Sequence, residues 1–190
     1  MFGRPFSILQ CLGYHPAPTH VTRRWRRITP LELMRRLPAL GCVLYLPGEC
    51  ADTGSPPGWL LGSADLQPLL RTHWLAEVGE VTTEGPREWI ECVDVRGATQ
   101  ARLHLLPDTD YLAWDRLLAA GEGVEPPVGW RMSRRFQPRS ARLCCFAWRA
   151  LAGLRVFDGR LASVASMAGQ RVAGQVARAE ALPLETMAGV

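Results

Sequence analysis

The sequence predicts an α+β fold, an antiparallel β-meander with helices packed on one side. Three observations carry that expectation. Trp74–Thr82, Arg87–Val95 and Thr99–Leu106 are apolar-rich runs separated by Thr83-Glu84-Gly85-Pro86 and by Asp94-Val95-Arg96-Gly97, so they read as strands joined by tight turns. Leu103 and Leu105 alternate with Arg102 and His104, which gives the last strand one apolar face and one polar face, the latter a candidate ligand surface. Pro107-Asp108-Thr109-Asp110 then supplies cap oxygens for a helix over Asp108–Ala120. Its Tyr111, Trp114, Leu117 and Leu118 share a stripe that should pack on the sheet, and Gly121 offers a left-handed stop.

The remaining elements follow in chain order. Residues 1–28 read as an irregular arm: Met1–Val21 carries His15-Pro16 and Pro18 without periodicity, which leaves His15 and His20 free to face solvent. Arg23-Arg24-Trp25-Arg26-Arg27 reads as a solvated lead-in to a helix, with contact to RNA, DNA or anionic lipid as the rival. Thr29-Pro30-Leu31-Glu32 places a hydroxyl at the N-cap, proline at the first helical position and glutamate at the third, opening a short helix through Leu33, Met34 and Leu37 that Pro38 and Gly41 end. Cys42–Leu46 is a buried strand, and the proline- and glycine-rich Pro47–Gly58 is a loop. Residues 29–128 form the main domain and residues 129–190 a basic linker and helical tail. In that tail Leu161, Val164, Ala165, Ala168, Val172, Val176 and Ala179 recur at helical spacing, while Gly169 and Gly174 each weaken the helix by about 1 kcal/mol relative to alanine. That apolar stripe needs cover, by docking on the main domain or by homodimerisation.

Composition narrows the class. With 47% hydrophobic and 21% charged residues, the 190-residue chain is an ordinary globular protein rather than a disordered or fibrous one. All 22 basic residues are arginine, and a net charge of +4 does not by itself mark a nucleic-acid binder. The six cysteines show no C-x-x-C pair and no zinc spacing, which points to free thiols in a reducing compartment. No apolar run reaches membrane-spanning length, so a soluble cytoplasmic protein is expected. Dinucleotide, P-loop, serine-hydrolase and zinc-protease motifs are all missing, and without lysine there is no Schiff-base chemistry.

Three segments carry a likeness to a known family. They are Leu37-Pro-Ala-Leu-Gly-Cys-Val-Leu-Tyr-Leu46, Asp65-Leu-Gln-Pro-Leu-Leu-Arg-Thr-His-Trp74, and Ile90-Glu-Cys-Val-Asp-Val-Arg-Gly97 continuing through Leu103-His-Leu to Asp108-Thr-Asp-Tyr-Leu-Ala-Trp114. Read in order from about Thr29 to Ala120, they resemble one half of the cytoplasmic hemin-degrading or hemin-transport proteins of the HemS/ChuX type. The resemblance implies two similar halves, each a sheet with packed helices, and haem held between sheet and helix by a histidine and arginines. Two departures stand out. The polar segment expected after the first buried strand is replaced by Pro47–Gly58. The second half is reduced to a fragment, in which Trp148–Phe157 resembles its start and Arg155 stands where a haem-ligating histidine is expected.

The resemblance makes haem the expected cofactor and a haem-uptake or haem-degrading protein the expected partner in a bacterial cytoplasm; haem cleavage is implied by resemblance alone. His104 is the expected iron ligand, against simple exposure on its strand. His73 reads as a structural residue at the strand entry beside Trp74, against an iron ligand, and His15 and His20 ligate only if the arm folds over. Arg102 and Arg71 are the expected propionate partners, against ordinary surface arginine. Two other functions compete: a haem-free interaction or regulatory module on the same fold, and a nucleic-acid binder using residues 23–27 and 131–142.

Overall fold

A computed structural model describes residues 21–49, 60–82, 84–128, 130 and 136–186. His15, His20, Cys11, Cys50, most of Pro47–Gly58 and the basic residues 131–135 lie outside the described residues. Among the described residues, ten strands build one sheet: β1 (Val21–Arg27), β2 (Cys42–Pro47), β3 (Leu60–Leu61), β4 (Trp74–Thr82), β5 (Gly85–Val93), β6 (Thr99–His104), β7 (Glu122–Gly123), β8 (Ala141–Leu151), β9 (Leu154–Leu161) and β10 (Leu184–Glu185). Their spatial order is β3-β9-β8-β2-β6-β5-β4-β1-β7, with β10 alongside β8. Among the described residues, only the β3–β9 and β10–β8 pairs are parallel. The fold is therefore α+β, and β4-β5-β6 is the antiparallel meander the turn signals predict.

The residues expected to lead into a helix instead form β1. Trp25 is buried beside Ala76 and Val78, Arg23 pairs with Glu91 on β5, both Arg24 and Arg26 pair with Glu77 on β4, and Arg27 stacks over Trp74, so other strands supply partners for the cluster. Helix α1 (Pro30–Arg36) starts as its sequence requires, with the Thr29 hydroxyl accepting the Glu32 amide at 3.2 Å. A 3-10 turn over Leu37–Leu40 carries it to the sheet. α2 (Gln67–Leu70) and α3 (Tyr111–Ala120) join α1 on one face. There they cover Val43, Tyr45, Leu75, Ile90, Leu103 and Phe146.

α4 (Met167–Ala179) lies on the other face, over Cys42, Leu44, Leu46, Ala141 and Leu143. Alternation along β2 forces this division, since its even-numbered residues are as apolar as its odd ones and both faces need cover. The buried face of α4 is covered within the chain, but it is not the expected stripe: it consists of Gly169, Ala173, Val176 and Ala177, while Leu161 belongs to β9 and Val164, Ala168 and Ala179 are exposed. Asp108 docks the start of α4, accepting the Ser166 amide at 2.9 Å and its hydroxyl at 3.0 Å. Gly169 is the residue that permits this, because a Cβ there would lie 1.8 Å from the Asp108 carboxylate.

α3 is capped by Asp110, whose side chain accepts the Ala113 amide at 2.9 Å. Its buried stripe is Ala113, Trp114, Leu117 and Leu118, whereas Tyr111 is 54% exposed. Gly121 ends the helix in an extended conformation rather than the left-handed one expected, and it is small because Arg26 packs against it. Upstream, the buried Thr109 hydroxyl accepts the Leu106 amide at 3.0 Å and donates to the Cys42 carbonyl at 2.7 Å. Thr109→Val is expected to lose about 2 kcal/mol, read from urea denaturation, because it strands two buried backbone groups; Thr109→Ser should retain most of that stability.

Candidate ligand-binding cleft

The β4–β5 hairpin, the end of β6, the first turn of α3 and the middle of α4 converge on a cleft of about 450 Å³. Its walls include Val81, Pro86, Leu105, Leu106, Pro107, Val172 and Val176. The polar lining groups are Thr22, Glu80, Arg87, Glu88, His104 and Tyr111. An adjoining groove of about 330 Å³ shares Glu80, Arg87, His104 and Val176 and adds Trp89, Arg102 and Glu180. An apolar concavity of this size with a few convergent polar groups suits a small-molecule ligand.

His104 is the chemical centre of this region. It lies on the polar face of β6, as its alternation predicts, but it is only 6% exposed. Its ring stacks on Trp89, its register partner on β5, with centroids 5.6 Å apart and planes at 26°. Burial, reinforced by the Arg102 and Arg87 guanidiniums, pulls its pKa down to about 3, so the ring is a neutral imidazole at physiological pH. Nε2 is shielded from solvent and has no hydrogen-bond partner. Leaving a buried polar atom unpaired costs about 1–3 kcal/mol, which makes this nitrogen a natural place for a ligand to supply the missing partner.

Arg102 sits beside His104, with both terminal guanidinium nitrogens held by carboxylates and its buried Nε without a hydrogen-bond partner. It reaches Glu180 on the segment after α4 at 2.8 Å and Glu91 on β5 at 3.2 Å, and it stacks over Phe136 and Trp89. Glu91 is itself buried and also pairs with Arg23. Arg87, paired with Glu84 across the hairpin, is the guanidinium that lines both cavities. His73 and Arg71 lie elsewhere. His73 immediately precedes β4 and is exposed, with Nδ1 2.9 Å from the Arg71 carbonyl. Trp74 is in register with Val93, whereas His104 is in register with Trp89. That separation is four residues, or about 13 Å, along β5. His104 and Arg102 are therefore brought together, and His73 and Arg71 form no part of the cleft. Arg155 stacks on Trp148 at the far side of the sheet.

No protein-family model matches the chain, and no curated protein matches it. Two solved structures of ChuS are similar in outline. The haem-degrading enzyme ChuS of Escherichia coli O157:H7 aligns at a TM-score of 0.43 and 19% identity, over 60% of this chain and 39% of that one. A structure described as ChuS, an E. coli haem oxygenase, aligns at 0.36 and 14% identity, over 54% of this chain and 36% of that one. The chain thus spans less than two-fifths of either neighbour's length.

Sequence reasoning did not find Trp89, Glu91, Arg87 and Tyr111. Trp89 and Glu91 carried a signal, because they share the period-two face that faces His104 and Arg102 across the β5–β6 pair. Counting back from the turn would have misplaced them. A bulge leaves Gln100 unpaired between the Val93–Thr99 and Cys92–Ala101 pairs and shifts every later partner by one. The α4 residues carried none, being roughly seventy positions away in the chain. Among the described residues, no helix is long and apolar enough to cross a membrane.

Proposed function

We propose that this chain is a haem-binding protein that holds its ligand in the cleft beside α4, with His104 as the iron-facing base and Arg87 at the anionic edge. The observation that carries the reading is the buried, neutral, unpartnered Nε2 of His104 at an apolar cleft. These residues fit the group. Neutral imidazole is the metal-binding form of histidine, and the walls contributed by Leu105, Leu106, Pro107 and Val176 suit a flat apolar macrocycle. When bound, haem would supply an iron that a neutral imidazole could ligate. The chain's own contribution is to hold that imidazole against Trp89, keep it unprotonated and exclude water. The resemblance of residues 29–120 to hemin-handling proteins supports the same ligand, with transfer to a haem-uptake or haem-degrading partner as the role.

The engagement of Arg102 by two carboxylates favours a second reading, a haem-free interaction module on the same fold. A hemin titration followed by visible absorption decides between them. A saturable one-to-one Soret band that shifts on binding, that is lost in His104→Ala and that added nucleic acid leaves unchanged is the expected result. Non-saturating absorption, with His104→Ala behaving as the parent, would leave the haem-free reading.

A further inference from the structure

On the face that α4 covers, β2 and β8 place two cysteines opposite each other. Cys42 and Cys145 are register partners in this antiparallel pair. Residues so paired have Cα atoms about 4.5–5.5 Å apart, inside the range of about 4.4–6.8 Å that a disulfide spans. Both side chains belong to the apolar cluster under α4. Cys42 is buried, while Cys145 is half-exposed and open to a small reagent. Cys92 and Cys144 are buried in the opposite face of the sheet.

We propose that Cys42 and Cys145 form a reversible dithiol–disulfide site that hydroperoxides oxidise. The two thiols have different roles. The Cys42 S–H donates to the Cys145 sulfur, which lowers the Cys145 pKa to about 7 and pushes that of Cys42 far up. Asp108 also raises Cys42, and Arg160 lies in register with Cys145 on β9. Cys145 is therefore the attacking thiolate and Cys42 the resolving thiol.

The chemistry balances with hydrogen peroxide as the oxidant. The Cys145 thiolate attacks one peroxide oxygen, the O–O bond breaks, and hydroxide leaves and is protonated to water, giving a sulfenic acid. The Cys42 sulfur then attacks the Cys145 sulfur. The S–O bond breaks, and the departing hydroxyl takes up the Cys42 proton as a second water. Two thiols lose two electrons and the peroxide gains them. A small dithiol reverses the step by thiol–disulfide exchange. The bond would form directly beneath α4, in the cluster that holds Leu106 and Val176, two residues of the cleft wall.

The test uses the full chain carrying Cys11→Ser and Cys50→Ser, treated with stoichiometric hydrogen peroxide, digested with trypsin without reduction and weighed. The expected product joins peptide 37–71 to peptide 143–149 and is lighter than the two free peptides by two hydrogens. It should persist in Cys144→Ala, disappear in Cys145→Ala and revert with dithiothreitol. In Cys42→Ser, dimedone should label Cys145 as its sulfenic acid. A cross-link that survives Cys145→Ala, or oxidation that proceeds at Cys92 and Cys144 without joining Cys42 to Cys145, overturns the proposal.

Discussion

Trp114→Ala is expected to lose about 3–5 kcal/mol of folding stability, a large share of what a domain of this size has. Trp114 is 1% exposed and lies among Leu117, Leu118 and the helical residues of the main core. Its removal opens a cavity that rigid neighbours on α1 and the sheet can close only in part. Its indole also donates to the Glu88 carboxylate at 2.7 Å, and Glu88 lines the cleft, so the same substitution releases a cleft wall. Trp114→Phe keeps most of the apolar volume and removes the donor, and is expected to cost about 1–2 kcal/mol. Urea denaturation of both variants checks the ranking; a Trp114→Ala protein that unfolds at the parent's midpoint would refute the packing described for α3.

His104→Leu is expected to separate stability from binding. Leucine fills a similar volume without stranding a buried nitrogen, so at pH 7 the variant should be as stable as the parent or more so, while the hemin-induced Soret shift disappears. The pH dependence carries a definite sign. The folded-state pKa of about 3 lies below the ordinary value of 6.5, so between those limits the unfolded chain binds the extra proton. Stability is full above pH 6.5 and falls as the pH drops toward 3, by up to about 1.4 kcal/mol per unit and roughly 4–5 kcal/mol over the window. Urea midpoints at pH 4 and pH 7 should show His104→Leu losing several kcal/mol less than the parent. Parallel acid lability in both proteins would mean that His104 titrates normally and is not sealed as described. Above about pH 4 the imidazole stays free for a metal, so hemin affinity should be flat across the mildly acidic range.

Local signals settled the elements because they act over a few residues. The Thr29 and Asp110 caps, the alternation of Arg102 to Leu105 and the turn after Asp94 each depend on neighbours within one turn of chain, and each stands where its pattern placed it; Gly85 and Pro86, expected in the first turn, instead open β5 as partners of Thr82 and Val81. β1 escaped the same reading because four arginines look like a solvated surface until Glu77 and Glu91 arrive from other strands. The sequence by itself determined the meander, the helix behind it and the polar face holding Arg102 and His104. Only the tertiary structure decided what that face became. Trp89 stacks on His104 because a bulge at Gln100 resets the register, and α4 returns from the end of the chain because Gly169 leaves room for Asp108. Together they turn an exposed imidazole into a buried neutral one beside a cleft. Burial, register and close approach between distant segments are properties of packed surfaces, and no periodicity along the chain encodes them.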